Sequence, residues 1–162
     1  MKSKVKLSTF SSVVTIAVII LMGILIFVSI QEGESFYVAI PLILIFIICG
    51  LFFAPTAIVA TENNIIIKAP LNKLLIPIEN IESVENFQPV MSPFKTIRIR
   101  LFASGGFMGY WSIFYDPIIG KFNGYFGDSN SCFLLTMKNG SKYVLGCQNP
   151  EEMVEYIQRQ IK

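Results

Sequence analysis

Two stretches without a charged side chain, residues 7–31 and 35–61, govern what this chain can fold into. Only Glu32, Gly33 and Glu34 separate them. About 20 apolar residues, rising roughly 1.5 Å each, cover a hydrocarbon core of about 30 Å. The pattern therefore predicts one transmembrane helix over residues 10–30 and a second over residues 36–53, stopped by Pro55, which disfavours helical geometry in the residue before it. A cleavable signal peptide fits the first stretch poorly: its apolar run exceeds the usual roughly 7 to 15 residues, and no small-x-small site follows. A linker of residues 31–35 leaves room only for a tight antiparallel hairpin.

Lysines fix the expected orientation. Lys2, Lys4 and Lys6 precede the hairpin, whereas its tip carries no Lys or Arg. By the positive-inside rule both termini face the cytoplasm. Neither span holds an acidic or basic side chain, so neither offers a proton relay or ion path. Cys49 packs there as a small hydrophobe.

The composition, 53% hydrophobic and 15% charged, is set largely by these spans. Residues 1–55 form the hairpin, and residues 56–162 are of a size to build one domain with its own core. From Glu62 onward there are ten basic and nine acidic residues. That balance excludes a general nucleic-acid binder, which needs a strongly basic face.

Beyond Pro55, short apolar runs alternate with turn residues. "AIVATENNIIIKA" reads as two strands joined at Glu62-Asn63-Asn64, "KLLIPI" as a third, "ENIESVE" as a turn, and "TIRIRLF" as a half-buried strand of period two. "GKFNGYFG", "SCFLLTM" and "SKYVLG" follow as strands. In "KNGS", Asn139 and Gly140 suit a two-residue hairpin turn with positive φ at both. That register sets Met137 against Lys142, Leu135 against Val144 and Cys132 against Cys147, as reduced thiols on a cytoplasmic side. Asn149 as N-cap, Pro150 and Glu152 open a final helix whose apolar stripe is Met153, Ile157 and Ile161. The fold class is a mostly antiparallel sheet of about six to eight strands, closed by a C-terminal helix.

Strands starting directly after a two-span hairpin, then "IPIENIESVE", "GGFMGYW", "GKFNGYF", "KNGSKYVL" and "NPEEMVEYI", resemble the bacterial pleckstrin-homology-like (PH-like) domain in its small membrane-anchored form. The resemblance covers residues 57–162. It implies a bent sheet or partial barrel plugged by the C-terminal helix, held at the bacterial cytoplasmic membrane, and it brings no catalytic residues.

Little in the chain points to chemistry. With no histidine, the commonest general base and the commonest metal ligand are both missing. The cysteines at 49, 132 and 147 lack CxxC spacing, so no metal site and no cofactor are expected. Glu79, Glu82 and Glu85 fall in a turn and strand, and Asp116 and Asp128 are turn formers. Lys95, Arg98 and Arg100, with Lys121 near in space, form a candidate patch for anionic lipid or a protein partner. The other reading is the solvated face of an amphipathic strand.

The most unusual stretch is "FASGGFMGYWSIFY". A phosphate-gripping loop would open a helix and supply a lysine. None follows before Lys121, and the downstream residues are aromatic and β-branched. Gly105, Gly106 and Gly109 are read as a bend between strands. Phe107, Met108, Tyr110 and Trp111 either fill the core or rest on the bilayer, where Trp and Tyr favour the interface. The expected function is a non-enzymatic, membrane-anchored binding or assembly module. Its partners would be membrane lipids, an unidentified membrane or cytoplasmic protein, or a second copy. The alternative is an accessory subunit of a membrane transporter or enzyme complex acting through its spans.

Overall fold

The computed structural model describes residues 1–32, 36–88 and 102–161. A short strand β1 (Lys2–Lys4) precedes two helices, α1 (Thr9–Glu32) and α2 (Phe36–Phe53). The next strands are β2 (Ala57–Ala60), β3 (Asn64–Lys68) and β4 (Lys73–Pro77), and a 3₁₀ turn (Ile78–Asn80) leads into β5 (Ile81–Asn86). They are followed by β6 (Phe102–Gly106), β7 (Gly109–Asp116), β8 (Gly120–Phe126), β9 (Cys132–Met137), β10 (Lys142–Gly146) and α3 (Pro150–Ile161).

Among the described residues one helix is long and apolar enough to cross a membrane, over Thr9–Val28, and the apolar stretch Ile43–Phe53 of α2 is shorter. Apolar side chains such as Phe10, Ile16, Ile20, Ile24 and Phe27 stand more than half exposed along α1. The α1 and α2 helices pack against each other.

The strands form two sheets, ordered β1-β2-β3-β4 and β5-β9-β10-β8-β7-β6. Pairing is antiparallel except between β8 and β10, which run parallel, a crossing that the mainly antiparallel reading does not contain. The β1 strand also departs from expectation. Lys2, Ser3 and Lys4 pair with Val59, Ile58 and Ala57, so the lysine segment ahead of the helices completes the sheet behind them.

A large core lies between the sheets and α3. Ile58, Ile65, Ile67, Ile81, Phe133, Leu135, Leu145, Met153 and Ile157 are all nearly or wholly excluded from solvent. The apolar stripe of α3 supplies Met153 and Ile157, and the Asn149 amide donates to the Glu152 carboxylate at 3.1 Å across the helix start. A second cluster occupies the opposite face of the larger sheet, where Phe114 stacks on Phe122 at 5.5 Å and Tyr110 on Phe126 at 5.2 Å. Strand β9 is central to both: Phe133 and Leu135 face the first core, Cys132 and Leu134 the second. Its unbroken apolar run follows from burial on both faces.

Two turn readings are corrected. "ENIESVE" is mostly strand: the turn is confined to the 3₁₀ segment, and β5 carries Ile81 and Val84 inward with Glu82, Ser83 and Glu85 outward. The bend at "KNGS" is a three-residue turn. The Gly140 N–H donates to the Met137 carbonyl at 2.8 Å, the Met137 N–H to the Ser141 carbonyl at 2.9 Å, and positive φ falls on Gly140 (80°) and not on Asn139. Asn139 instead accepts the Ser141 N–H on its side chain. This shifts the register by one, so Leu135 opposes Tyr143, and Cys132 opposes Gly146 rather than Cys147.

Candidate functional site

The glycine-aromatic stretch forms the β6–β7 hairpin, in which Phe102 pairs with Ile113 and Gly106 with Gly109 around a Phe107-Met108 turn. Gly106, Met108 and Gly109 take φ of 114°, 53° and 101°. These left-handed values explain glycine on either side of the turn, since a β-carbon there is strained. Gly105 lies one residue back, in β6 opposite Tyr110.

This turn is seated at the domain-side ends of α1 and α2. Ser11 is wholly buried, and its hydroxyl donates to the Gly106 carbonyl at 2.6 Å while accepting the Gly109 N–H at 3.0 Å. One side chain thus joins both ends of the turn. One helical turn further on, the Thr15 hydroxyl accepts the Met108 N–H at 2.9 Å and lies 2.7 Å from the Ser11 carbonyl, to which it donates. Ser8 starts the ladder: its Oγ accepts the Ser11 N–H at 3.1 Å, capping α1, and its own N–H donates to the Gly127 carbonyl at 2.9 Å. The hydroxyls at 8, 11 and 15 recur three and four residues apart, so they share one face of the helix.

The α2 side is apolar. Phe107 tilts against Phe46 with ring centroids 4.6 Å apart, and Trp111 stacks on Phe53 at 5.5 Å with 18° between planes. The Trp111 indole N–H donates to the Phe107 carbonyl at 3.3 Å. Gly50 makes the socket: a β-carbon there would lie 2.9 Å from the Phe107 ring and 3.2 Å from the Met108 sulfur. Gly127 is equally constrained, because a side chain would collide with the Lys6 carbonyl.

A family model for the bacterial PH domain matches residues 56–161, about two-thirds of the chain. The chain belongs to the bacterial PH domain family. No match was found among curated proteins or among solved structures. Within this bacterial PH domain the antiparallel sheets and the closing helix α3 agree with the fold that the resemblance implies. Strand β1 and both helices lie outside the matched residues, so the seat for the β6–β7 turn is added to the PH domain from outside it.

The structure separates the predicted site residues. Phe107, Met108 and Trp111 meet the helices, while Tyr110 turns the other way, into the second core against Phe126. Tyr110 therefore belongs to the core, whereas Phe107 and Trp111 pack on Phe46 and Phe53 of α2, a contact that neither the core reading nor the bilayer reading includes. Lys121 is exposed on β8 opposite Tyr115, and Lys95, Arg98 and Arg100 lie outside the described residues. Ser8, Ser11 and Thr15 were not singled out from sequence. Their spacing in an otherwise apolar helix was the available signal.

The remaining polar groups assemble little. Among the described residues no three His, Cys, Asp or Glu side chains converge as metal ligands. A groove of about 760 Å³ lies between the β2–β3 turn, the 3₁₀ segment and the end of α3, lined by Glu62, Glu79, Glu82 and Lys138 among others. Burial pushes the Cys132 thiol far above its ordinary value, helped by the nearby Asp128 carboxylate, and burial likewise raises Cys147. Both thiols stay protonated and weakly nucleophilic at neutral pH.

Proposed function

We propose that the protein is a non-enzymatic, membrane-anchored binding or assembly module, its PH domain held against the cytoplasmic leaflet by a two-helix hairpin. The observation that carries this reading is the β6–β7 turn, hydrogen-bonded to Ser11 and Thr15 of α1 and packed on Phe46 and Phe53 of α2. A domain joined to its anchor by a slack tether would sample many orientations. This one is fastened at a second point, which presents a fixed surface to a membrane-bound partner and raises its effective concentration.

α2 supports the second crossing. Its 18 residues reach about 27 Å at roughly 1.5 Å each, enough for a thin bilayer. Lys2, Lys4 and Lys6 directly precede α1, and Lys68 and Lys73 flank the turn whose Leu71 N–H bonds the Leu51 carbonyl of α2, the distribution that the positive-inside rule asks of a cytoplasmic face.

Photo-crosslinking in intact membranes tests the reading. A crosslinker at Ile118, 89% exposed on the β7–β8 turn, should capture a partner protein or a second copy. A crosslinker at Ile20 or Ile24 on the outer flank of α1 should capture only lipid. The reverse result would favour the accessory-subunit alternative.

A further inference from the structure

The register of the smaller sheet gathers lysines that are far apart in sequence. Lys4 pairs with Ala57, Ala57 with Lys68, and Lys68 with Lys73, so three lysines stand in one cross-strand row. Directly opposed residues share a face, with β-carbons about 4.5–5.5 Å apart. All three are exposed, and none has an ion-pair partner among the described residues. The neighbouring row on this face is Lys2, Val59, Ile66 and Leu75, which adds a fourth lysine and no acid.

Hydrogen bonds set the height of this row. The Leu71 N–H, in the β3–β4 turn, donates to the Leu51 carbonyl at 3.1 Å, satisfying one of the carbonyls left open in the last turn of α2. The Thr56 N–H donates to the Lys68 carbonyl at 2.7 Å, and the Val5 N–H to the Thr56 carbonyl at 3.0 Å. The turn itself is closed by the Ala69 N–H on the Asn72 carbonyl at 2.8 Å. The lysine row is thereby held level with the ends of the apolar helices, and Leu71, whose backbone meets the end of α2, leaves its side chain 60% exposed.

We infer that this rim, Lys4, Lys68 and Lys73 with Leu71 as an apolar wedge, docks on the anionic phospholipid headgroups of the bilayer that α1 and α2 enter. Charge and position both select that occupant. Lysines near an acidic leaflet are attracted to it, and an apolar side chain at the same level enters the headgroup boundary. The inference rests on the membrane reading above but is separable from it.

The test uses the full chain with Cys49→Ala, carrying an environment-sensitive fluorophore at Leu71→Cys or, as the distal control, at Glu62→Cys. Vesicles of phosphatidylcholine, with or without phosphatidylglycerol, contain lipid spin-labelled at the headgroup. The label at position 71 should be quenched, more strongly with phosphatidylglycerol, and the label at position 62 should not. Lys68→Gln and Lys73→Gln should each reduce the phosphatidylglycerol-dependent ratio of lipid-facing to water-facing label roughly five-fold. If the chain floats with the vesicles but position 71 is unquenched, or the lysine variants change nothing, the headgroup rim is wrong and the anchor stands. If the chain does not float with vesicles, both readings fall. Equal quenching at both positions, or the same response to soluble polyglutamate or an oligonucleotide over phosphatidylcholine, would likewise overturn the lipid assignment.

Discussion

Ser11 shows how much one small side chain can organise. Its hydroxyl serves a carbonyl and an N–H that belong to opposite ends of the same turn. Replacing it by alanine deletes only the hydroxyl; the Gly106 carbonyl keeps just the longer 3.3 Å bond from Thr15 and the Gly109 N–H loses its 3.0 Å bond to Ser11, at about 1–3 kcal/mol. We expect Ser11→Ala to lower the melting midpoint of the detergent-solubilised protein and to red-shift Trp111 emission as the ring leaves Phe53. Ser12→Ala, on the neighbouring helix position with its hydroxyl bonded to the Ser8 carbonyl, should do much less. An unchanged emission spectrum in Ser11→Ala would show that the α2 contacts hold the turn unaided. The α1 hydroxyls were hard to read because serine and threonine can bond back to their own helix. Thr15 does so to the Ser11 carbonyl, and nothing local reveals that a distant turn uses the same oxygen.

At the scale of elements, period and capping were legible where they acted locally. The α3 helix starts at Pro150 with its Asn149–Glu152 contact, and β2, β3, β4, β8, β9 and β10 fall where apolar runs meet turn residues. What failed needed knowledge of a partner strand. Lys2–Lys4 has no strand signature and is recruited by the open edge of β2, while "ENIESVE" has turn-like composition but is drawn into pairing with β9. The β9–β10 turn separates a local rule from its application: Asn-Gly marked the bend, but Met137 and Ser141 closed a loop one residue longer. It follows that Gly140 alone must be left-handed. Gly140→Ala should cost about 1–2 kcal/mol in chemical unfolding. Asn139→Ala should lose only the contact to Ser141, within about 1 kcal/mol. Equal losses at both positions would restore the two-residue turn.

For the molecule as a whole, orientation is the property most open to measurement. An impermeant thiol reagent applied from outside the cell should label Gln31→Cys, at the exposed far end of α1, and leave Ser141→Cys on the β9–β10 turn untouched. With the half-buried Cys49 replaced by alanine, the remaining native thiols should not confuse the result, since Cys132 and Cys147 are buried. Labelling at Ser141→Cys would place the PH domain outside and remove the basis for a cytoplasmic module. The strand β1 bears on how such a molecule is made. It precedes both helices in the chain yet pairs with β2, which follows them. During synthesis, therefore, the sheet cannot close until α2 has left the ribosome and β2 has emerged behind it. On the two-span reading proposed above, the first strand waits unpaired on the side where it was made while the two helices are inserted. Once β1 and β2 have zipped together they tie the beginning and the end of the hairpin to one rigid body. On that same reading, a chain in which only one of the helices had crossed would leave β1 and β2 on opposite sides of the bilayer and unable to pair, so closure of the sheet requires that both helices cross or that neither does.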